Sequence, residues 1–322
     1  MRKHRTLVLG AAMLALIVSA CSSGEGGTPG ASASGATGSQ PAASEATGDL
    51  PTITVGSNAF PESTIVAEIY AQALEDAGFT VERNLELGAR DVTYPALTSG
   101  DIDLMPEYLG GMLAQTYEGS PTSDVEETAQ ALRDALAGDD LVAFDPTPGT
   151  DADGFAVRSE TADEFDLTTM SDLAGVADQL TWGVAVECGD NPNCGPGLKE
   201  VYGIDLEQLD VQQLQACSTA IAEALNQSNI DVAQVCTTQP EILAFNLVLL
   251  EDDKGLAPAQ NIVPVVRKEI ADAGGDTLES TLNAVSELLT TEELTNLGAD
   301  IVLNGQSYEE AARQWLEDNG LV

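Results

Sequence analysis

Beyond residue 50, the side chains able to do chemistry are four cysteines, Cys188, Cys194, Cys217 and Cys236, and a large excess of carboxylates. Cys236 ends the alternating run in DVAQVCTTQ (231–239). A cysteine there could be a nucleophile, a metal ligand, half of a disulfide or a small core residue. Nucleophilic work needs a base, and the one histidine of the chain is His4. Ser-His-Asp and Cys-His catalysis, histidine-ligated zinc and histidine acid–base chemistry therefore have nothing to run on in the folded part. The expectation is a binding protein, not an enzyme, with no cofactor. A four-cysteine zinc site favours C-x-x-C pairs, and the spacing shows none. An even number of cysteines in an exported chain points to two disulfides. Three pairings are open, and the most economical joins Cys188 to Cys194 and Cys217 to Cys236. GTDADGFAVRSE (149–160) grazes a calcium-loop pattern through Asp151, Asp153, Gly154 and Glu160. Its first position is Gly149, which has no carboxylate, so no metal is expected.

Export is read from the N-terminus. MRKHRTLVLGAAMLALIVSA begins with Arg2, Lys3 and Arg5 and continues with an apolar run from Leu7 to Val18. That reads as a signal peptide over 1–20, its apolar part short for a membrane span. It ends in VSAC, which resembles the lipobox of bacterial lipoproteins. The resemblance implies cleavage before Cys21 and lipid on its sulfur. The mature protein would then be anchored to the cell membrane, on its extracytoplasmic face, without spanning it. Residues 22–49 carry, proline apart, no apolar side chain larger than alanine. Such a segment cannot bury enough surface to offset its ordering entropy, so 21–50 is expected to be the lipidated cysteine and a flexible tether. The chain has 12 Lys+Arg against 53 Asp+Glu, a formal net charge of -41. So negative a surface argues against nucleic acid and anionic lipid headgroups as partners.

The elements that must position these groups follow from periodicity. TITVGS (52–57) reads as a strand and turn. PESTIVAEIYAQALEDAG (61–78) reads as a helix with Pro61 in its first turn, an apolar face that includes Ile65, Ile69 and Leu74, and Gly78 as its stop. FTVERNLEL (79–87) alternates like a strand. YPALTSGDIDLMPEY (94–108) reads as a short helix, a Ser-Gly turn and a strand at DIDLM. The pattern repeats with strands at 181–186, 230–235, 246–253 and 261–270 and helices at 197–203 and 218–229. Three helical stretches, about 277–289, 291–297 and 307–318, close the chain, with Thr290 or Thr291 and Ser307 as caps. Alternating strands and helices indicate α/β lobes, with ligands at strand ends and in the cleft between lobes.

VGSNAFPESTIVAEIYAQALEDAGFTVERNLELGARDVTYPALTSGDIDLMPEYLG (55–110) resembles the opening of the glycine betaine/choline (osmoprotectant) substrate-binding proteins of ABC transporters. IDVAQVCTTQ with NLVLLEDDKGLAPAQNIVPVVR (246–267) resembles the second half of that family, and LNAVSELLTTEELTNLGADIV (282–302) its C-terminal helices. The resemblance implies a type II periplasmic-binding-protein fold of two α/β lobes. Lobe 1 would hold 51–155 and 258–322, and lobe 2 would hold 156–257, with crossings near Phe155–Arg158 and Gly255–Gln260. It implies capture of a quaternary-amine osmoprotectant by cleft closure and delivery to an ABC permease by a monomeric receptor. Relatives hold the cation among aromatic faces. Carried over, the first cage tyrosine matches Tyr108 and the second matches Phe155, with Asp153 two positions earlier. Positions where relatives place an aromatic are Cys236 and Gln260, and an expected basic residue is Asn191. Asn58, Ser57 and Ser63 lie at or near the first strand–helix turn, and Thr237 follows the second-half strand; all are candidate ligand contacts. With the cage half present, a different small amine or zwitterion also fits, and a sensory or interaction lipoprotein without transport remains an alternative.

Overall fold

The computed structural model describes residues 50–322; the signal peptide, the lipidation at Cys21 and the tether up to residue 49 lie outside the described residues. Ten strands form two sheets. They are β1 (Thr52–Gly56), β2 (Thr80–Asn84), β3 (Leu104–Tyr108), β4 (Leu141–Ala143), β5 (Asp153–Arg158), β6 (Thr181–Val184), β7 (Asp210–Gln213), β8 (Val232–Cys236), β9 (Leu247–Leu249) and β10 (Ile262–Arg267). One sheet has the order β2-β1-β3-β10-β4, the other β7-β6-β8-β5-β9. In each, three parallel strands meet a fourth that runs antiparallel and enters from the other half of the chain. These are the two α/β lobes.

Ile53, Val55 and Leu104 are fully buried because helices cover the first sheet. The helix Pro61–Asp76 is buried at every residue from Ser63 to Leu74, lying between that sheet and the C-terminal helices. Its polar Glu68 is buried with a partner, Arg83, whose Nε reaches Oε2 at 2.8 Å. The second lobe packs around Trp182, whose indole Nε1 donates to Ala177 O at 3.1 Å.

Several boundaries differ from the sequence reading, each for a local reason. β3 runs three residues later than DIDLM, because Asp103 does not extend the strand: its Oδ2 accepts from Thr54 N at 2.9 Å and its Oδ1 pairs with Arg267 at 3.1 Å. The last strand stops at Arg267, and a helix, Lys268–Leu288, begins at once. The sequence pattern places its start only near 277, because Gly274 and Gly275 interrupt the periodicity. Gly275 does break the helical geometry, at φ 54° and ψ -150°, and the chain continues helically on both sides. The first crossing lies between Ala143 and Asp153, ahead of Phe155–Arg158, because β5 already pairs with β8 from Asp153 onward. The second runs between β9 and β10. The two crossings are bonded to each other: Asp151 N donates to Gln260 O at 3.2 Å, and Thr150 bridges Asn261 antiparallel.

Candidate functional site

A cleft of about 650 Å³ opens between the two sheets. Lobe 1 lines it with the turn after β1, the first turn of Pro61–Asp76 and the end of β3. Lobe 2 lines it with the end of β8 and the residues that follow, and the first crossing supplies Asp151 and Ala152. These are carboxyl ends of strands, where α/β sheets present ligand sites.

Tyr108 ends β3, and its hydroxyl donates to Glu62 Oε1 at 2.7 Å. Burial, then the nearby charges of Glu62 and Asp151, push the Tyr108 phenol well above its ordinary value. Asp151 stands on the crossing and accepts from Thr238 Oγ1 at 2.5 Å. Burial raises its carboxyl to about 7, the Glu62 charge adds to this, and the Thr238 bond opposes it. Asp153, more open to solvent, is also raised, by burial first; the Gln234 hydrogen bond opposes, while Asp151 and Glu187 add repulsion. Arg90 is the one cation on the wall among the described residues. Its Nε and Nη2 reach the two oxygens of buried Glu107 at 2.9 and 2.7 Å, and Nη1 reaches Gln115 Oε1 at 2.8 Å. Its charge is thus balanced from behind, in a fork geometry that fixes the guanidinium. Gln260 Oε1 accepts from Gly111 N at 3.0 Å. The neighbouring Gly110 must be glycine: a Cβ there would stand 2.7 Å from Ala259 O.

Of the residues expected from sequence, the cleft brings together Tyr108, Asp153, Asn58 and Gln260. Asn58 is buried, its Oδ1 accepts from Thr93 Oγ1 at 2.9 Å, and its amide N–H groups meet no acceptor among the described residues. Ser57 and Ser63 stand behind it. Ser57 Oγ accepts from Glu86 N at 2.8 Å and Ser63 Oγ from Asn58 N at 3.2 Å, so they build the turn and do not line the wall. Phe155 is placed in the lobe 2 core, edge-on to Trp182 at 5.7 Å between ring centroids. It shares a strand face with Asp153 but lies two residues, about 7 Å, further in. Thr237 donates to Thr150 O at 2.8 Å and accepts from Ala152 N at 3.1 Å. It stitches lobe 2 to the crossing, and the wall position falls to Thr238. Asn191 sits in the 188–194 loop, its Oδ1 accepting from Asn193 N at 3.0 Å, and does not line the cleft.

Both disulfides join the pairs read as most economical, Cys188–Cys194 and Cys217–Cys236. The second forms part of the cleft wall beside Asp153. With both sulfurs bonded to each other, that trio has no thiolate to offer a metal. Sequence reasoning missed Glu62, Arg90, Gln239 and Glu241 on the wall. Glu62 carried a usable signal: an acid in a first helical turn directly after a strand-end turn.

A family profile described as OpuAC, the substrate binding domain of ABC-type glycine betaine transport system, matches residues 51–318. The glycine betaine-binding protein YehZ of Escherichia coli (strain K12) is 25% identical over 278 residues, covering 83% of this chain and 90% of that one. The carnitine transport binding protein OpuCC of Listeria monocytogenes is 29% identical over 274 residues, 83% of this chain and 87% of that one. The solved structure of apo YehZ superposes with a TM-score of 0.76 at 23% identity, over 84% of this chain and 99% of that one. Lactococcal OpuAC, closed on glycine betaine, gives 0.54 at 18% identity, over 84% and 96%. The fold is that of the type II periplasmic binding proteins.

Proposed function

The chain belongs to the substrate-binding domains of ABC-type glycine betaine transport systems, and from that premise we propose that its cleft captures a quaternary-amine osmoprotectant, or a related small amine or zwitterion, by lobe closure. The protein is a binding component and not an enzyme. What supports this reading is the cleft itself, set at the carboxyl ends of both sheets between lobes joined by two crossings. Tyr108, Asp153, Asn58 and Gln260 would contact the ligand. Phe60 and Tyr108 offer aromatic faces for cation–π attraction. Closure about the crossings would then present a liganded form to the permease. We take lobe 1 as the β1–β4 and β10 half and lobe 2 as the β5–β9 half. Family members work outside the cytoplasm, and no helix among the described residues is long and apolar enough to cross a membrane. Anchoring through lipid at Cys21, and action as a monomer, complete the proposal.

Calorimetry against glycine betaine, choline, carnitine and proline betaine, together with their singly demethylated counterparts, tests it. Heat with at least one is expected, and Tyr108→Ala should weaken that binding about tenfold, near 1.4 kcal/mol. No heat with any compound in the panel would overturn the reading.

A further inference from the structure

Among the described residues the wall carries four carboxylates, Glu62, Asp151, Asp153 and Glu241, against Arg90 alone, and Arg90 is already neutralised by Glu107. Two rings, Phe60 and Tyr108, are on it among the described residues, and the Tyr108 hydroxyl is spent on Glu62. A tetraalkylammonium has no N–H and is best held by enclosing rings. This wall offers oxygen acceptors instead. Glu62 takes one protein donor, the Tyr108 hydroxyl, and Asp151 takes the Thr238 hydroxyl and backbone N–H, so each carboxylate keeps acceptor capacity for a ligand. Independently, Gln239 lines the same cleft with 6% of its surface exposed; its Nε2 donates to Ser218 O at 3.0 Å, and its Oε1 has no hydrogen-bond partner among the described residues. A buried acceptor left unpaired is costly and is relieved by a donor.

We propose that the Glu62–Asp151 pair is the specificity-determining element of the cleft and selects a ligand whose positive charge carries N–H groups, a protonated amine, over a fully alkylated ammonium. This rests on the binding-protein reading above and narrows its ligand class. Glu62 stands in the first turn of a lobe 1 helix and Asp151 on the first crossing; both line the cleft, and the Glu62 charge acts on Asp151. Facing them are Tyr108 and Glu107 from β3, Asp153 from β5, Thr238 after β8 and Tyr308 from the helix Tyr308–Asp318, with Arg90 on the same wall. No unpaired cation stands among them in the described residues, so Asp151, its carboxyl raised to about 7 by burial and then by the Glu62 charge, holds a proton in the empty cleft below that pH. A ligand ammonium replaces that proton. Its N–H, a single one in a tertiary ammonium, donates to the carboxylates of the pair, and the displaced proton leaves to solvent. Affinity for such a ligand therefore rises with pH through about 7, where the carboxyl would otherwise keep its proton.

The test uses pairs differing by one methyl: choline against N,N-dimethylaminoethanol, and glycine betaine against N,N-dimethylglycine. Titration calorimetry on the purified chain at pH 7.5, in two buffers of different ionisation heat, reads affinity and proton release together. The N–H member should bind about tenfold tighter, the scale of a charge-assisted hydrogen bond, with proton release, and should weaken at pH 5.5. Glu62→Gln and Asp151→Asn should each shrink the preference to roughly threefold or less. Both keep an acceptor for Tyr108 or Thr238, and the wild-type pairs decide the matter even if a variant fails to fold. Equal or tighter binding of the quaternary member would overturn the proposal while leaving the osmoprotectant reading standing. A preference untouched by either folded variant would overturn the role of the pair. Binding of no member of either pair overturns the proposal, and the wider panel above then decides the reading it rests on.

Discussion

In lobe 1 the helices run to 16 residues at Pro61–Asp76 and 21 at Lys268–Leu288, and the first of these is enclosed along nearly its whole length. In lobe 2 the longest helix, Thr219–Asn226, has 8 residues, and Glu241–Ala244 has 4. Helices that short gain little by themselves and need tertiary support. Lobe 2 supplies it covalently, since both disulfides lie there. It also supplies it by polar stitching: Arg158 Nη1 donates to Leu225 O and Ile230 O at 2.9 and 2.5 Å, and its Nη2 reaches Asp231 at 2.6 Å. One guanidinium thus gathers the end of a helix, the loop after it and the start of β8. The same sheet order is held by burial on one side of the cleft and by cross-links on the other. In an exported protein an oxidising compartment makes the second solution available.

The sharpest way to break this contrast is in the lobe 2 core. Trp182→Ala removes a fully buried indole and its bond to Ala177, and should cost about 3–5 kcal/mol, read from chemical denaturation. Next, Cys217→Ser with Cys236→Ser opens a loop of sequence separation 19, worth about 3 kcal/mol in the chain-entropy model. Hydrogen exchange should then rise in β6–β8 and stay unchanged in β1 and β3; equal loss of protection in both lobes would contradict the comparison. The crossing gives a smaller effect with a defined sign. Because the Asp151 carboxyl is raised above its unfolded value, its contribution to stability is fully present below about pH 4. That contribution is lost as pH rises through about 7. The ligand-free protein should therefore lose on the order of 1–2 kcal/mol from this group over that window after solvent screening, and Asp151→Asn should remove that part of the pH dependence of Tm. The smallest change lies in lobe 1. Thr290 caps Thr291–Val302 by accepting from Glu293 N at 3.2 Å, and Thr290→Ala should cost about 1 kcal/mol by thermal melting, with no change in lobe 2 exchange.

The sequence could be read where local signals agree, in either lobe. The helix at 61–78 was legible because its 3.6-residue apolar face and its Gly78 stop agree, and the disulfide pairing was legible because short loops close cheaply. The helices Leu109–Tyr117 and Val125–Leu136 were not read, although Asp124 caps the second by accepting from Glu127 N at 2.8 Å. At the site, residue type alone misled. Phe155 is aromatic and near Asp153, but strand geometry carries it into the core. Thr237 and Thr238 are adjacent and identical, and only the turn after β8 decides which one faces the cleft. Glu62 and Asp151 lie 89 positions apart, and no local pattern can announce a pair formed by two segments meeting across a fold.

The bond between the two crossings has a mechanical meaning. Two separate linkers would let the lobes tumble like parts on a universal joint. A ribbon pinned at Asp151–Gln260 and Thr150–Asn261 bends easily across its width and resists twisting. In the closure proposed above it would act as a door hinge, with one axis of swing. Asp151 and Gln260 are also cleft-wall residues. Whatever occupies the cleft therefore leans on the proposed hinge pin itself, so a signal that the chamber is filled would not need to travel through either lobe to reach it.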